Sequence, residues 1–581
     1  MNARQSSRLH LGAALVATLL QAPACFSDQG PVDPSLTPQT IVELQTGRTS
    51  EAVPLPDASG RHGIATLINL NPAVNSQFLL TLQGPDRPET LNYPIENPAP
   101  ASQRLSLSAL NPGHLSIDAG GKTVQCALWP VDALEKAHRS PLPFAPWCDG
   151  RLYLRNAVRG NRTVLEATTQ FLRDHVWRGE QIIGFVRHEF YQDAFMERAI
   201  SQADASGRTR VPVSLDGPPP APMIATGTRR EIVTPGLGID LGASGPVLQG
   251  QWYGAAGLDN IYVSVAQPGL LTDGNTVATG RGRALDSVES DALVYLVAFD
   301  LAAFEFGFAL GTEHPRLGWS ARVRPDAQDA QMPGPDGIAT AAPLARAGMV
   351  SPALQPRVVA TFTGGFKREH GAFRYGSLAT VNHASHYGFI EQGVVFSRLN
   401  PGLSTLYVLN DGSVGMKTWE RGDDRMLGQI RHARQNGVPL IERDPSGGKS
   451  VFGLLVDAWG PGNWSGSADE KLRTLRAGAC VIEHASRHFL VYAYFSTATP
   501  RAMARVFQAY GCSYAMHLDM NALEHTYLAL YRPEADHINV EHLVGTMAVL
   551  DKSSGTTLLP RFLGFADDRD FFYLLARKER R

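Results

Sequence analysis

Between residues 498 and 531 the hydrophobic period of the chain changes abruptly. Met503, Val506, Phe507 and Tyr510 recur at helical spacing and predict one apolar face. Thr499 is placed to cap this helix, Pro500 suits its first turn, and Gly511 stands where a left-handed residue ends it. From Ser513 the period becomes two. Tyr514, Met516, Leu518 and Met520 share one side of a predicted strand; Ser513, Ala515, His517 and Asp519 share the other. The second row is either a solvent-facing strand side or a functional one. It brings His517 and Asp519 to the strand's end, just before Asn521, Glu524 and His525. Strand ends beside loops are where open α/β sheets place chemistry.

The same reading carried along the chain gives many short strands and a few helices. Short apolar runs separated by Pro, Gly and Asn turns between 63 and 125 predict a β-rich module. Helical passages are expected at 131–137, 163–176, 180–199 and 423–435. The apolar run 293–310 begins as a strand and reads as core. Strands are expected at 358–362, 389–397, 404–409, 414–419, 438–442, 452–456, 479–483 and 489–495, with Asn410-Asp411-Gly412 turning a hairpin. The expected fold class is therefore α+β, multidomain, with mixed or antiparallel sheets and flanking helices. The expected divisions are a signal peptide at 1–24, a linker at 25–60, a β-rich plus helical N-terminal domain at 61–200, a linker at 201–235, a second domain at 236–550 and a C-terminal extension at 551–581.

Composition narrows the class. The 581 residues are 43% hydrophobic and 19% charged, with net charge -2 and no long basic run, so nothing calls for nucleic acid. Arg4 and Arg8, the apolar stretch 11–20 and Ala22-Pro23-Ala24 form an export signal. Cys25 follows it directly, which leaves a lipidated N-terminus open, but Ala22 stands where such sites usually carry Leu and tips the balance slightly away from a lipoprotein. No later segment is long and apolar enough for a membrane helix. Localisation is expected to be exported, periplasmic or outer-membrane-associated. In an oxidising compartment Cys126 with Cys148, and Cys480 with Cys512, are sensible local bridges, although four cysteines allow three pairings.

Several chemistries lack their residues. Gly238–Gly245 has neither the spacing nor the Lys of a phosphate loop, and Gly280-Arg281-Gly282 lacks the third glycine of a dinucleotide fingerprint. Neither GxSxG nor HExxH occurs, which removes the main protease and esterase signatures. His383 and His386 lie three apart without a metal-binding helix around them, and no metal site is expected. His370, Arg374 and Tyr375 precede them. Arg151, Arg155, Arg159 and His188 are either contacts to a ligand or lipid surface or, as the favoured reading, solvated or paired surface groups. No cofactor is indicated.

Three motifs give the C-terminal part a family resemblance. A strand runs into Thr363-Gly364-Gly365-Phe366. Arg476 precedes Gly478 and is followed by a second strand. The helix ending at Gly511 leads through a strand into Leu518-Asp519-Met520-Asn521-Ala522-Leu523. In this order they resemble the phosphodiester glycosidase family, over about residues 350–550. Thr363 stands where that family has Asn, and Met520-Asn521-Ala522 where it has three glycines, so this chain either builds a different pocket or has lost the reaction. The resemblance implies an exported hydrolase that cleaves a sugar-phosphodiester or glycosidic bond, with a carbohydrate or sugar-phosphate ligand. Asp519 would be the first carboxylate, Glu524 the second, and His517 would orient Asp519. Arg476 would bind an anionic phosphate or sulfate, and Thr363, Gly364, Gly365 and Asn521 would line the substrate. The rival reading is a non-catalytic glycan-binding or envelope-structural protein with a glycosidase-like domain.

Overall fold

The computed structural model describes residues 39–578 apart from 57–61, 86–88, 109, 130, 176–192, 199–216, 243–245, 273–284, 320–324, 329, 331, 368–386, 445, 448–449, 457–472 and 535–536. The expectation of an α+β fold with flanking helices is overturned. Among the described residues the protein is β-rich, with 43% strand and 14% helix. Among the described residues, α-helix is confined to Asp132–His138, Val164–His175, Ser287–Asp291 and Pro500–Ala509. Part of the misreading lies at 423–435. Arg421–Gln429 is 3-10 helix, and Ile430–Gln435 is a strand paired on both sides, with Phe389–Glu391 and Ser404–Leu409. Ile430 and the five residues after it are almost all buried, polar ones included, so the strand carries no alternating pattern for local spacing to reveal.

An eight-stranded antiparallel sheet forms the middle of the fold. Its order is Trp252–Ala255, Leu258–Ala266, Val294–Asp300, Arg487–Ala498, Thr474–His484, Tyr514–Met520, Pro439–Glu442 and Val451–Phe452. The two long central strands are joined at Ala485-Ser486, whose φ values of 47° and 64° match the mirror-image turn that suits a twisted hairpin. A five-stranded antiparallel sheet packs on it, in the order Phe304–Ala309, Phe571–Ala576, Val358–Thr363, Leu528–Pro533 and Ile538–His542. Phe362 joins the layers, its ring 5.3 Å from Phe572 in its own sheet and 5.2 Å from Tyr492 in the other. The apolar run 293–310 thus contributes one strand to each sheet.

The helix Pro500–Ala509 has the expected ends. Thr499 Oγ1 accepts from the Ala502 N–H at 3.3 Å; beyond the last turn Gly511 has φ 76° and the Cys512 N–H donates to the Phe507 carbonyl at 3.0 Å. Its apolar face buries Met503 and Phe507 over Gly478, where an added Cβ would lie 2.8 Å from Met503 Cε. Cys480 and Cys512 are bonded, tying the chain three residues beyond this helix to the central strand. Cys126 and Cys148 are bonded as well.

A six-stranded sheet (Thr49–Pro56, His62–Asn69, Gln77–Gln83, Thr90–Glu96, Leu152–Arg155, Phe144–Trp147) and the three strands within 103–127 enclose a separate apolar cluster around Leu80, Leu115 and Leu152. Polar contacts fasten this part to the remainder. Arg155 Nη2 lies 2.6 Å from Glu391 Oε1, and Asn71 Nδ2 donates to the Gly393 carbonyl at 3.0 Å. Arg155 is therefore a buried, paired residue. Arg151 and Arg159 are exposed. No helix among the described residues is long and apolar enough to cross a membrane.

Candidate functional site

Four chain segments meet at the end of the strand Tyr514–Met520. The first is Asp519 itself, on a strand whose seven residues are all buried; neither side of that strand faces solvent. The second is the turn after Val358–Thr363, which carries Lys367. Asn436 fixes this turn: its Oδ1 accepts from the Phe366 N–H at 3.0 Å while its Nδ2 donates to the His517 and Leu518 carbonyls at 2.6 and 2.5 Å. Gly365 is required there, because its φ is 143° and a Cβ would lie 2.7 Å from Asn436 Oδ1. The third is Asp567-Asp568-Arg569-Asp570, which leads into the strand Phe571–Ala576 and is almost fully buried. The fourth is the first turn of the helix Val164–His175, bearing Glu166.

Charges alternate across this junction. Arg569 Nη1 donates to Asp519 Oδ2, and Arg569 Nη2 donates to Glu166 Oε1 at 3.0 Å. Lys367 Nζ sits 2.5 Å from Glu166 Oε1 and 2.6 Å from Asp568 Oδ2. Arg162 Nε adds a 2.8 Å contact to Asp568 Oδ2. His525 completes the group: its Nδ1 is 2.5 Å from the Met520 carbonyl and so carries the proton, leaving the Nε2 lone pair to accept from Arg569 Nη2 at 2.6 Å. Among the described residues, Asp568 Oδ1 and Arg569 Nε have no hydrogen-bond partner.

Burial sets the protonation of these groups. It pushes Asp519 up to about 7, against the pull of Arg569 and the Met520 N–H. It pushes Asp568 up to about 6, against Lys367 and with help from Glu166 and Asp567. Burial also opposes ionisation of Glu166, but Arg569 and Lys367 outweigh it and hold that carboxyl low. Burial, aided by Arg569, keeps His525 neutral well below its usual range. Behind the cluster, Asp570 is gripped by Arg434 and by His314 Nδ1 at 2.8 Å, which overcome its burial and hold it low.

The residues singled out from sequence are distributed unevenly around this cluster. Asp519 is at its centre. Glu524 lies nearby, but its Oε1 accepts from Thr163 Oγ1 at 3.0 Å. His517 is fully buried, its ring edge-on to Phe366 at 4.8 Å and its Nε2 3.5 Å from Arg476 Nη1; burial and Arg476 hold it well below its usual range. Arg476 is fully buried and donates to the Ala498 carbonyl at 2.7 Å. Thr363 Oγ1 donates to the Glu524 carbonyl at 3.3 Å, and the Gly364 N–H to the Asp570 carbonyl at 2.9 Å. Asn521 accepts from Thr474 Oγ1 at 3.0 Å and has φ 80°. Only this one of the three residues standing in place of glycines is left-handed, and asparagine tolerates that conformation better than most residues.

Sequence reasoning missed Glu166, Lys367, Asp568 and Arg569. One signal was available: three acids and an arginine in four positions directly before an apolar strand, FFYLLA. The signal peptide, Cys25, the passage 180–192, His188, Gly280-Arg281-Gly282, His370, Arg374, Tyr375, His383 and His386 lie outside the described residues. Among the described residues no group of three or more His, Cys, Asp or Glu is arranged to hold a metal ion.

Fold and site together define a β-sheet protein with a buried cluster of carboxylates, arginine and lysine at a strand end. No protein-family model matches the chain, and no curated protein matches it. Among solved structures, the chain is similar to the zebrafish N-acetylglucosamine-1-phosphodiester alpha-N-acetylglucosaminidase catalytic domain auto-inhibited by its pro-peptide. The identity is 11%, over 56% of this chain and 85% of that one, with a TM-score of 0.29. A likeness this slight bears no weight for fold or function.

Proposed function

We propose that the protein is an exported hydrolase that cleaves a sugar-phosphodiester or glycosidic bond in an anionic glycan. The observation that carries this reading is the pairing, in one buried cluster, of two carboxyl groups whose surroundings differ. Lys367 and Arg162 contact Asp568, while Arg569 and the Met520 N–H contact Asp519. Such a pair suits acid and base work, in which one group gives a proton as the other takes one. Asp519 is the acid: near neutral pH it retains a proton to give to the leaving oxygen as the bond breaks. Asp568 is the base: it takes the proton of the attacking water. Lys367 and Arg569 neutralise the anionic group of the substrate. The disulfides agree with an oxidising compartment.

The test is hydrolysis of a panel of chromogenic glycosides and sugar phosphodiesters by the purified protein and by Asp519→Ala. Turnover that disappears in a still-folded variant supports the reading. Absence of turnover on every substrate, with and without divalent metal, overturns it in favour of a glycan-binding or envelope-structural protein. Turnover unchanged in the variant moves the acid away from Asp519.

A further inference from the structure

We infer that the Glu166 carboxylate occupies an anion seat between Lys367 and Arg569, and that an anionic ligand group enters by displacing it. The inference deepens the proposed function, resting on its assignment of Lys367 and Arg569 to an anionic substrate group, and it adds a built-in competitor for that place. Glu166 Oε1 receives both Lys367 Nζ, at 2.5 Å, and Arg569 Nη2, at 3.0 Å. An ammonium and a guanidinium converging on one oxygen are the arrangement that binds a phosphate, sulfate or carboxylate oxygen.

Glu166 differs from the other carboxylates of the cluster in how it is held. Asp519 lies in a strand of the eight-stranded sheet, and Asp568 lies three residues before the strand Phe571–Ala576 of the other sheet; both are almost fully buried. Glu166 stands on a helix whose neighbouring side chains face outward: Val164 is 84% exposed and Leu165 52%. The helix start is anchored independently of the carboxylate. Thr163 Oγ1 donates to Glu524 Oε1 at 3.0 Å and accepts the Glu166 N–H at 3.1 Å. A swing of the Glu166 side chain therefore opens the seat without unseating the helix. The vacated cations would be left buried, with side-chain exposures of 8% for Lys367 and 1% for Arg569, which favours refilling by another anion. Ligands with one compact anionic group are the class this seat takes.

Titration calorimetry with inorganic phosphate tests this on the whole protein, comparing wild type, Glu166→Ala and Glu166→Ala/Lys367→Met. The expected result is binding at least tenfold tighter in Glu166→Ala than in wild type, with the gain lost in the double variant. A folded Glu166→Ala that binds phosphate no more tightly than wild type overturns the inference, as does a gain that survives in the double variant. Should Glu166→Ala fail to fold, Glu166→Gln gives the same readout. Hydrolysis is scored separately. A phosphate gain without turnover on any substrate sinks the hydrolase reading and keeps the seat; turnover without a phosphate gain does the reverse.

Discussion

The buried proton on Asp519 gives a sharp stability prediction. Asp519 goes from its ordinary 3.8 to about 7 in the folded protein. Between those values the native state holds a proton that the unfolded chain has released, so stability falls as pH rises through this window. At about 1.4 kcal/mol per pH unit, the full cost above pH 7 is about 4 kcal/mol. Asp519→Asn cannot ionise, and its amide oxygen can still accept the Met520 N–H that Asp519 Oδ1 accepts at 2.8 Å. Arg569 keeps its contacts with Glu166 and His525. The variant should match wild type near pH 4 and gain on it steadily, reaching about 4 kcal/mol more stable at pH 8. Urea unfolding followed by tryptophan fluorescence at pH 4, 5.5 and 8 measures the difference directly. If Asp519→Asn is instead less stable than wild type by a few kcal/mol at pH 8, Arg569 keeps Asp519 ionised in the native state. Its role as a proton donor would then be wrong.

The same reasoning extends to three other places. Asp570→Asn leaves Arg434 buried without its carboxylate and should cost about 3–5 kcal/mol in urea unfolding at neutral pH; because Asp570 is held low, wild type loses that contribution only as pH falls below the ordinary 3.8, and a neutral-pH loss under about 1 kcal/mol would show that the pair does not support the fold. Asn521→Ala should cost about 1–2 kcal/mol relative to Asn521→Gly, since both lose the contact to Thr474 but only alanine resists a left-handed backbone; equal melting temperatures would mean the turn rearranges. The bond between Cys480 and Cys512 closes a 32-residue separation, so Cys480→Ala/Cys512→Ala should lose about 3–4 kcal/mol, and an unchanged denaturation midpoint would place no constraint at that loop.

What could be read from the sequence was governed by range. The helix Pro500–Ala509 and the strand after it were legible because their signals lie within a few residues: a capping threonine, a proline, a terminal glycine and a change of period. The same local view placed Asp519 at a strand end. It gave no hint that the other side of that strand is covered too, since His517 and Asp519 look like solvent-facing residues until a second layer is known. At 423–435 it preferred a helix, because pairing with strands on either side contributes nothing to local period. The site itself is almost wholly long-range. Arg569 meets Glu166 across 403 residues and Lys367 meets Asp568 across 201. A run of four charged residues ordinarily marks a solvated face, but Asp567–Asp570 is buried: it leads into Phe571–Ala576, which inserts between Phe304–Ala309 and Val358–Thr363, and its backbone bonds to Asn161, Thr312 and Gly348. That insertion also explains why the charges alternate in sign. Carboxylates forced under a sheet are tolerable only if cations arrive from elsewhere in the chain, and Arg162, Lys367 and Arg434 each come from a different segment. A short, highly charged run placed directly before a strongly apolar strand is thus a signal that partners of opposite charge lie far away in the sequence.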